Sequence, residues 1–374
     1  MVFKDDAVKI DHGLPRKVDL QNVDAELDAL SREIAGPDQQ RTFGRMMTLV
    51  VYSEVDEDED RLHEQIGEII VRVSARAVLV RRESGSQSDI EALIRAHCLL
   101  RGEGQPEQCA EQVTLHVGDA GADRVKQLLL SLRLRDLPLV LWWRARPDPN
   151  DKLLSQLLQV CDQVILDSAL FSLPAADLSR LVSHLRRETE RIPFGDINWA
   201  RLTPWRELIA QFFDVPEHLD YLSRLTGMSL EYSTAQNANP AQPMLITMWL
   251  ATMLKWEVVN GTWKRDGRDR SVRLTCEGRE IQVDIHGAAD SEAPPGWLTS
   301  IALRATGEPP ANFEITWCGE HCVTTTVTIA GKTVEHTSSL SVPDDVTLVC
   351  EEFDASRRDR VYHQALLILE KLLQ

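Results

Sequence analysis

The chain has 374 residues, 43% apolar and 26% charged, with a net charge of −17 at neutral pH. That length exceeds one ordinary core, so two domains are expected, and the composition is globular rather than disordered. The acidic balance excludes nucleic acid as the main partner, since a phosphate backbone requires a basic surface, and it disfavours anionic membranes.

In chain order, residues 1–17 read as a loose arm, without the basic start and apolar run of an export signal. Apolar residues recur at helical spacing over 18–30, and Gly36-Pro37 stops that helix. Residues 47–52 form a short buried strand. The acidic run Asp56 to Asp60 then leads into a helix over about 60–71, whose dipole it complements. Residues 77–81 read as the next strand. Residues 90–100 have the apolar content of a helix, but the turn signal Gly102-Glu-Gly-Gln-Pro106 after them favours a strand. Alternation over 112–117 predicts a strand, followed by an amphipathic helix over 122–133, a strand over 138–143, a helix over 151–161 and a strand over 164–167. Strands alternating with helices imply parallel crossovers, hence an α/β domain with a mostly parallel sheet over 1–172.

A second domain over 173–374 reads as α+β with an antiparallel sheet. A helical part at 174–256 contains segments at 174–191, 204–213, 216–226 and 241–256. Short alternating segments punctuated by glycines then make a β region over 258–350, and an amphipathic helix over 357–372 closes the chain. The apolar stretch 244–256 is too short to span a bilayer and contains two threonines and a lysine. Seven scattered cysteines do not suggest a secreted disulfide framework, and a cytoplasmic location is expected.

Sequence signatures of catalysis are absent. No G-x-G-x-x-G follows a strand, and there is no phosphate-binding loop with G-K-[ST], no G-x-S-x-G elbow and no H-E-x-x-H. No catalytic, cofactor-binding or metal-binding residue is therefore assigned. In Trp317-Cys-Gly-Glu-His-Cys322, Cys318 and Cys322 form either a redox pair or merely flank a hairpin bent at Gly319; zinc would need a second ligand pair. Arg144 and Arg146 follow Trp142-Trp143 at a strand end, the usual ligand side of an α/β sheet. There they would meet a phosphate or a partner carboxylate, with Asp167-Ser168 beside them. Otherwise one tryptophan packs into the core, the other covers a helix, and the arginines are solvated.

Two tryptophans and two arginines crowd into residues 199–206. Thr203 suits the N-cap of the helix that follows and Pro204 its first position; Trp205, Leu208, Ile209 and Phe212 then share one face. Trp199, ahead of the cap, reads as freer than Trp205. Such a cluster, with no catalytic residue type close by, suits a contact surface of Trp199, Arg201 and Arg206. The alternative keeps both indoles in the core and uses the arginines to anchor the junction between domains.

The Asn-Trp-x-Arg-Leu-x-x-Trp-Arg pattern of Asn198, Trp199, Arg201, Leu202, Trp205 and Arg206 resembles the OpcA-type glucose-6-phosphate dehydrogenase assembly proteins. The likeness extends to Leu137-Pro-Leu-Val-Leu-Trp-Trp143, Asp167-Ser168-Ala169 and Glu111-Gln112-Val113, and covers most of the chain from about Met46. It favours the strand reading of 90–100. Where members often carry Trp-Trp-Pro-Gly, this chain has Trp-Trp-Arg-Ala. The resemblance implies a non-catalytic accessory protein that binds glucose-6-phosphate dehydrogenase and promotes its assembly or allosteric activation, supporting the oxidative pentose phosphate pathway and NADPH supply. Two other expectations stand beside it: a sugar-phosphate enzyme with a site among Arg144, Arg146, Asp167 and Ser168, and a thiol-switched regulator acting through Cys318 and Cys322. A sugar-phosphate or nucleotide ligand has room at the strand ends, but no residue pattern demands one.

Overall fold

A computed structural model describes residues 9–36, 41–54, 56–100, 107–148, 150–171, 192–259, 262, 264–289, 291–319, 321–353 and 359–372. The helix expected over 174–191 lies outside them. The chain divides into two compact units, the first comprising residues 1–166, 189–195 and 344–357, the second 167–188, 196–343 and 358–374.

The first sheet contains β1 (Ile10–His12), β2 (Arg16–Val18), β3 (Arg41–Phe43), β4 (Met47–Glu54), β5 (Ala75–Arg82), β6 (Ile90–Leu99), β7 (Glu107–Val117), β8 (Leu139–Trp143), β9 (Gln163–Leu166) and β10 (Phe194–Asp196). Its order is β1-β6-β7-β5-β4-β8-β9-β10, with β2 on β6 and β3 on β7. The pairs of β4 with β5 and β8, of β7 with β3 and β5, and of β8 with β9 are parallel; β6 runs antiparallel to its neighbours. Leu49, Val50, Val51, Val78, Leu79, Val80 and Leu141 are wholly buried. Continuous apolar runs of this kind belong to parallel strands covered on both faces. Helices α1 (Val23–Ala35), α2 (Glu59–Val73), α3 (Val125–Leu132) and α4 (Lys152–Leu158) lie between strands. Asp58 caps α2, its carboxylate accepting from Arg61 N, and Glu59 and Asp60 fill the first turn, which accounts for the acidic run.

Part of the expected loose arm is ordered: β1 and β2 both pair with β6, and Gly13 N donates to Ala96 O at 2.9 Å. Short polar edge strands carry no periodicity that betrays them. Residues 90–99 are strand, as the turn signal indicates.

In the second unit, α5 (Ile197–Arg201), α6 (Thr203–Gln211) and α7 (Leu219–Leu222) precede β11 (Leu225–Ser233), and α8 (Ala241–Met253) precedes β12 (Glu257–Val258), β13 (Lys264–Asp266), β14 (Asp269–Cys276), β15 (Arg279–Ala288), β16 (Leu298–Ala305), β17 (Ala311–Gly319), β18 (Cys322–Ile329) and β19 (Lys332–Ser339). The order is β12-β14-β15-β11-β16-β17-β18-β19, with β13 on β14. All these pairs are antiparallel except β11 with β15. Residues 225–226, expected to end a helix, open the central strand instead. Met228, Leu230 and Tyr232 alternate onto the buried face, but a bulge between Leu225 and Gly227 breaks the period at its start. The region expected to be β up to residue 350 ends earlier, in α9 (Asp345–Glu352), which belongs to the first unit and which Asp344 caps through Thr347 N at 2.7 Å. Its β-branched Val346, Thr347 and Val349 resemble a strand in sequence. α10 (Arg360–Leu372) packs on α8, which is apolar around almost its whole circumference. The fold class is thus an α/β unit with a mostly parallel sheet and an α+β unit with a mostly antiparallel one.

Candidate functional site

The Asn198–Arg206 motif lies wholly in the second unit, and its polar atoms are directed inward. Asp196 is fully buried and caps α5: its Oδ1 accepts from Ser168 N and Asn198 N, both at 3.0 Å, and its Oδ2 from the Tyr362 hydroxyl at 3.0 Å. Burial, and then the charge of Asp167, push the Asp196 carboxyl up to about 6. Asn198 donates to Ser168 Oγ at 3.1 Å and accepts from Gln242 Nε2 at 3.0 Å; Gln242 in turn accepts from Leu298 N at 2.8 Å. Asn239 Nδ2 donates to the carbonyls of Ser168, Ala169 and Phe171. The motif thus ties the start of α5 to the turn after residue 167 and to α8, β16 and α10.

Arg201 forms a bidentate pair with Asp167, at 2.9 and 2.8 Å, with side chains only 12% and 13% exposed. Trp199, expected to be freer than Trp205, is 4% exposed; its Nε1 donates to Asp359 at 2.6 Å and its ring lies 5.0 Å from that of Tyr362. Its indole is not an exposed contact group, because a residue 160 positions away takes its N–H. Arg206 lies over that indole at 4.1 Å and donates to Trp199 O at 2.9 Å and to Thr203 Oγ1 at 2.8 Å. Burial lowers its pKa to about 10, which leaves the guanidinium charged at neutral pH. Thr203 is therefore not the N-cap: it is the first residue of α6 and its hydroxyl serves Arg206. Trp205 and Ile209 are buried on the expected face.

In the first unit, the carboxyl ends of β4, β5 and β8 form a second cluster. Glu57 accepts from Arg144 Nε at 2.9 and 3.2 Å, from Arg144 Nη2, and from Ser53 Oγ at 2.7 Å. Arg81 donates to Ser53 Oγ at 3.2 Å and to Glu57 O at 3.1 Å. Arg144 also lies 4.3 Å over Trp142. Both Trp142 and Trp143 are buried, Trp143 stacking on Tyr52 at 3.7 Å, and neither indole N–H has a partner among the described residues. Arg146 is exposed. Asp167 and Ser168 belong to the other unit, where Arg201, Asn198 and Asn239 hold them as described.

Cys318 and Cys322 are joined by a disulfide with Cα atoms 5.2 Å apart, at the end of the β17–β18 hairpin. The hairpin of the sequence reading is present, and the two sulfurs that flank it are bonded. A second disulfide, Cys98–Cys109, joins directly opposed residues of β6 and β7; its partners lie on strands whose register no spacing rule reveals. Among the described residues no group of three His, Cys, Asp or Glu side chains is placed to hold a metal ion.

Two buried networks in the first unit escape sequence reasoning. Glu111 accepts from Arg76 Nε at 2.8 Å, from Arg45 and from Ser31. The adjacent Gln112 joins a chain of imidazoles: His12 Nδ1 to His97 Nδ1 at 2.8 Å, His97 Nε2 to Gln112 Oε1 at 2.8 Å, Gln112 Nε2 to His63 Nδ1 at 2.6 Å, and His63 Nε2 to Glu59 at 3.2 Å. One assignment of neutral tautomers satisfies every link, each group donating onward to the next. Burial pushes His97 down to about 3 and lowers His63, with Arg95 adding to both. The Glu111-Gln112 pair carried the only sequence hint of these networks.

Comparison with known proteins matches residues 68–183 to the family described as glucose-6-phosphate dehydrogenase subunit N-terminal domain, and residues 192–366 to that described as its C-terminal domain. The chain is similar to curated proteins named OpcA and assigned by name to the OxPP cycle. That of Nostoc punctiforme is 29% identical over 68% of this chain and 54% of the relative, and that of Synechococcus elongatus 29% over 76% and 64%. For the Synechocystis protein the identity is 30%, over 58% and 46%. The chain thus spans about half to two-thirds of the length of the curated relatives it matches. Among solved structures, it is similar to Gal80p of Saccharomyces cerevisiae, with a TM-score of 0.47, 8% identity and coverage of 88% of this chain and 95% of that one. A likeness to the WlbA dehydrogenase of Thermus thermophilus has a TM-score of 0.42, 11% identity and coverage of 87% and 95%. With both of its domains matched in order and three relatives sharing the same name, the chain belongs to the OpcA family of glucose-6-phosphate dehydrogenase subunits.

Proposed function

We propose that this protein is a non-catalytic accessory subunit that binds glucose-6-phosphate dehydrogenase in the cytoplasm and promotes its assembly or allosteric activation, in support of the oxidative pentose phosphate pathway and NADPH supply. Family membership supports the partner. The observation that carries the non-catalytic part is the closed hydrogen bonding of the Asn198–Arg206 motif. Asp167, Ser168 and Asp196, the residues a reaction would recruit, hold Arg201, Asn198 and backbone N–H groups in place. A motif built this way maintains a shape. Trp199, Arg201 and Arg206 act as its frame and Arg144 is paired with Glu57, so Arg146, exposed after β8, is the group offered to carboxylates of the partner. By linkage, activation requires tighter binding to the active form of the enzyme than to the inactive one.

The test mixes the purified chain with the dehydrogenase of the same cell and measures complex size and the enzyme's dependence on glucose-6-phosphate. A larger complex with a shifted dependence is expected, and charge reversal at Arg146 should weaken it roughly tenfold while the circular dichroism spectrum is preserved. An enzyme that neither binds the chain nor changes its output overturns the reading. So does turnover of sugar phosphates by the chain alone. The Cys318–Cys322 disulfide favours a second reading, in which the same subunit is switched by thiol chemistry. Thiol titration with and without oxidant, followed by mass mapping, tests it: two free thiols under both conditions remove it.

A further inference from the structure

The second unit contains a cavity of about 410 Å³ that the functional reading leaves unused. Its volume is that of a small-molecule site, for which roughly 300–1,000 Å³ is usual. Trp297 and Trp317, both half-buried, line it with Leu340, Val342, Glu292 and His321. The walls are held in place. Gly296 N and Ser233 N exchange hydrogen bonds with Ser233 O and Trp297 O, each at 2.9 Å, and Ser233 Oγ donates to Ala293 O at 3.0 Å, so the loop bearing Trp297 is fixed to the end of β11. On the other side stands the β17–β18 turn. It needs a left-handed backbone at Gly319 (φ 135°) and at His321 (φ 61°), and the disulfide closes it. Leu340 N donates to His321 O at 3.0 Å, which ties the segment after β19 to the same turn.

The chemistry of the lining is selective. It offers two indoles, the most electron-rich faces among side chains, together with the carboxylate of Glu292, and includes no lysine or arginine. A phosphate or carboxylate ligand would find no permanently charged cation there and would meet Glu292. A cation would find π faces and a counter-charge in one cavity. Apolar walls from Leu340 and Val342 suit the methylene part of such a ligand.

We propose that this cavity binds an organic cation, an alkylammonium or guanidinium group on a short apolar stem. The group comes from a free amine or from a lysine or arginine side chain of a bound protein. The site requires no contact with the dehydrogenase, so its failure leaves the accessory-subunit reading untouched.

The experiment titrates the full chain with agmatine, glucose and inorganic phosphate by calorimetry, with glucose as the neutral and phosphate as the anionic comparison. Saturable binding of agmatine alone is expected. It should weaken roughly tenfold in Glu292→Gln and in Trp317→Leu, the order of one desolvated cation–π contact or charge partner. Glu292 is exposed, so Glu292→Gln tests the proposal even if Trp317→Leu fails to fold. Displacement of agmatine by added dehydrogenase assigns the cation to a protein side chain; its retention assigns it to a free amine. No saturable agmatine binding, equal or tighter binding of glucose or phosphate, or agmatine binding indifferent to Glu292→Gln overturns the proposal.

Discussion

Asp196 accepts three hydrogen bonds and has no exposed surface, yet no cation contacts it among the described hydrogen bonds. A carboxylate so placed is costly to ionise, which is why its pKa rises from 3.8 to about 6. The folded state therefore binds its proton more tightly than the unfolded state. Its contribution to stability is fully present below about pH 4 and is lost as pH rises through about 6. Asp196→Asn keeps Oδ1 for the two backbone donors and presents an amide N–H to the Tyr362 oxygen. The expected outcome is a second unit whose urea stability loses the Asp196 share of its change between about pH 4 and 6, and at about pH 8 lies within ~1 kcal/mol of the parent. A loss of several kcal/mol at the higher pH would show that the negative charge itself is required. Residue roles of this kind were only half legible. The sequence marks Asn198, Trp199, Arg201 and Arg206 as a group, but Trp199 reads as freer than Trp205 because the group that takes its N–H, Asp359, is remote along the chain.

At the scale of elements, helix α2 shows how packing overrides propensity. Gly67 sits in its middle, where glycine costs about 1 kcal/mol relative to alanine. A Cβ there would lie 2.5 Å from His97 Nδ1 and 2.9 Å from the ring of His12. The helix accepts a glycine so that the imidazole chain can pass. Gly67→Ala is expected to destabilise the first unit by roughly 1–3 kcal/mol, because the histidines cannot withdraw without breaking their hydrogen bonds. A stabilised variant in chemical denaturation would mean that the imidazoles are free to move. The elements legible in the sequence were those whose signal is local and repeated: the buried runs of β4, β5 and β8, the charged start of α2, the closing helix α10. Those that were missed have a non-local cause. β11 hides behind its bulge, β1 and β2 gain their order only from β6, and α9 is written in β-branched residues that a cap at Asp344 turns into helix.

The whole molecule combines two units whose buried titratable groups respond oppositely to acid. In the first, His97 is held neutral down to about pH 3, and His63 is also lowered. The unfolded histidines take up protons near pH 6.5. Between those limits the unfolded state binds more protons, so stability rises with pH. The contribution of His97 is complete above about pH 6.5 and is lost as pH falls toward 3, at up to ~1.4 kcal/mol per pH unit; His63 adds in the same direction. In the second unit, Asp196 has the opposite sign over a similar range. Lowering the pH from about 7.5 to about 5 should therefore separate two calorimetric transitions. The one belonging to the first unit should fall, by on the order of 2–4 °C per kcal/mol for units of this size. The other should hold its place or rise. Gly67→Ala identifies the first transition by shifting it alone, and Asp196→Asn identifies the second by removing its pH response. A single transition that moves with both substitutions would sink this account, because the opposed proton linkages would then act on one cooperative fold and cancel within it.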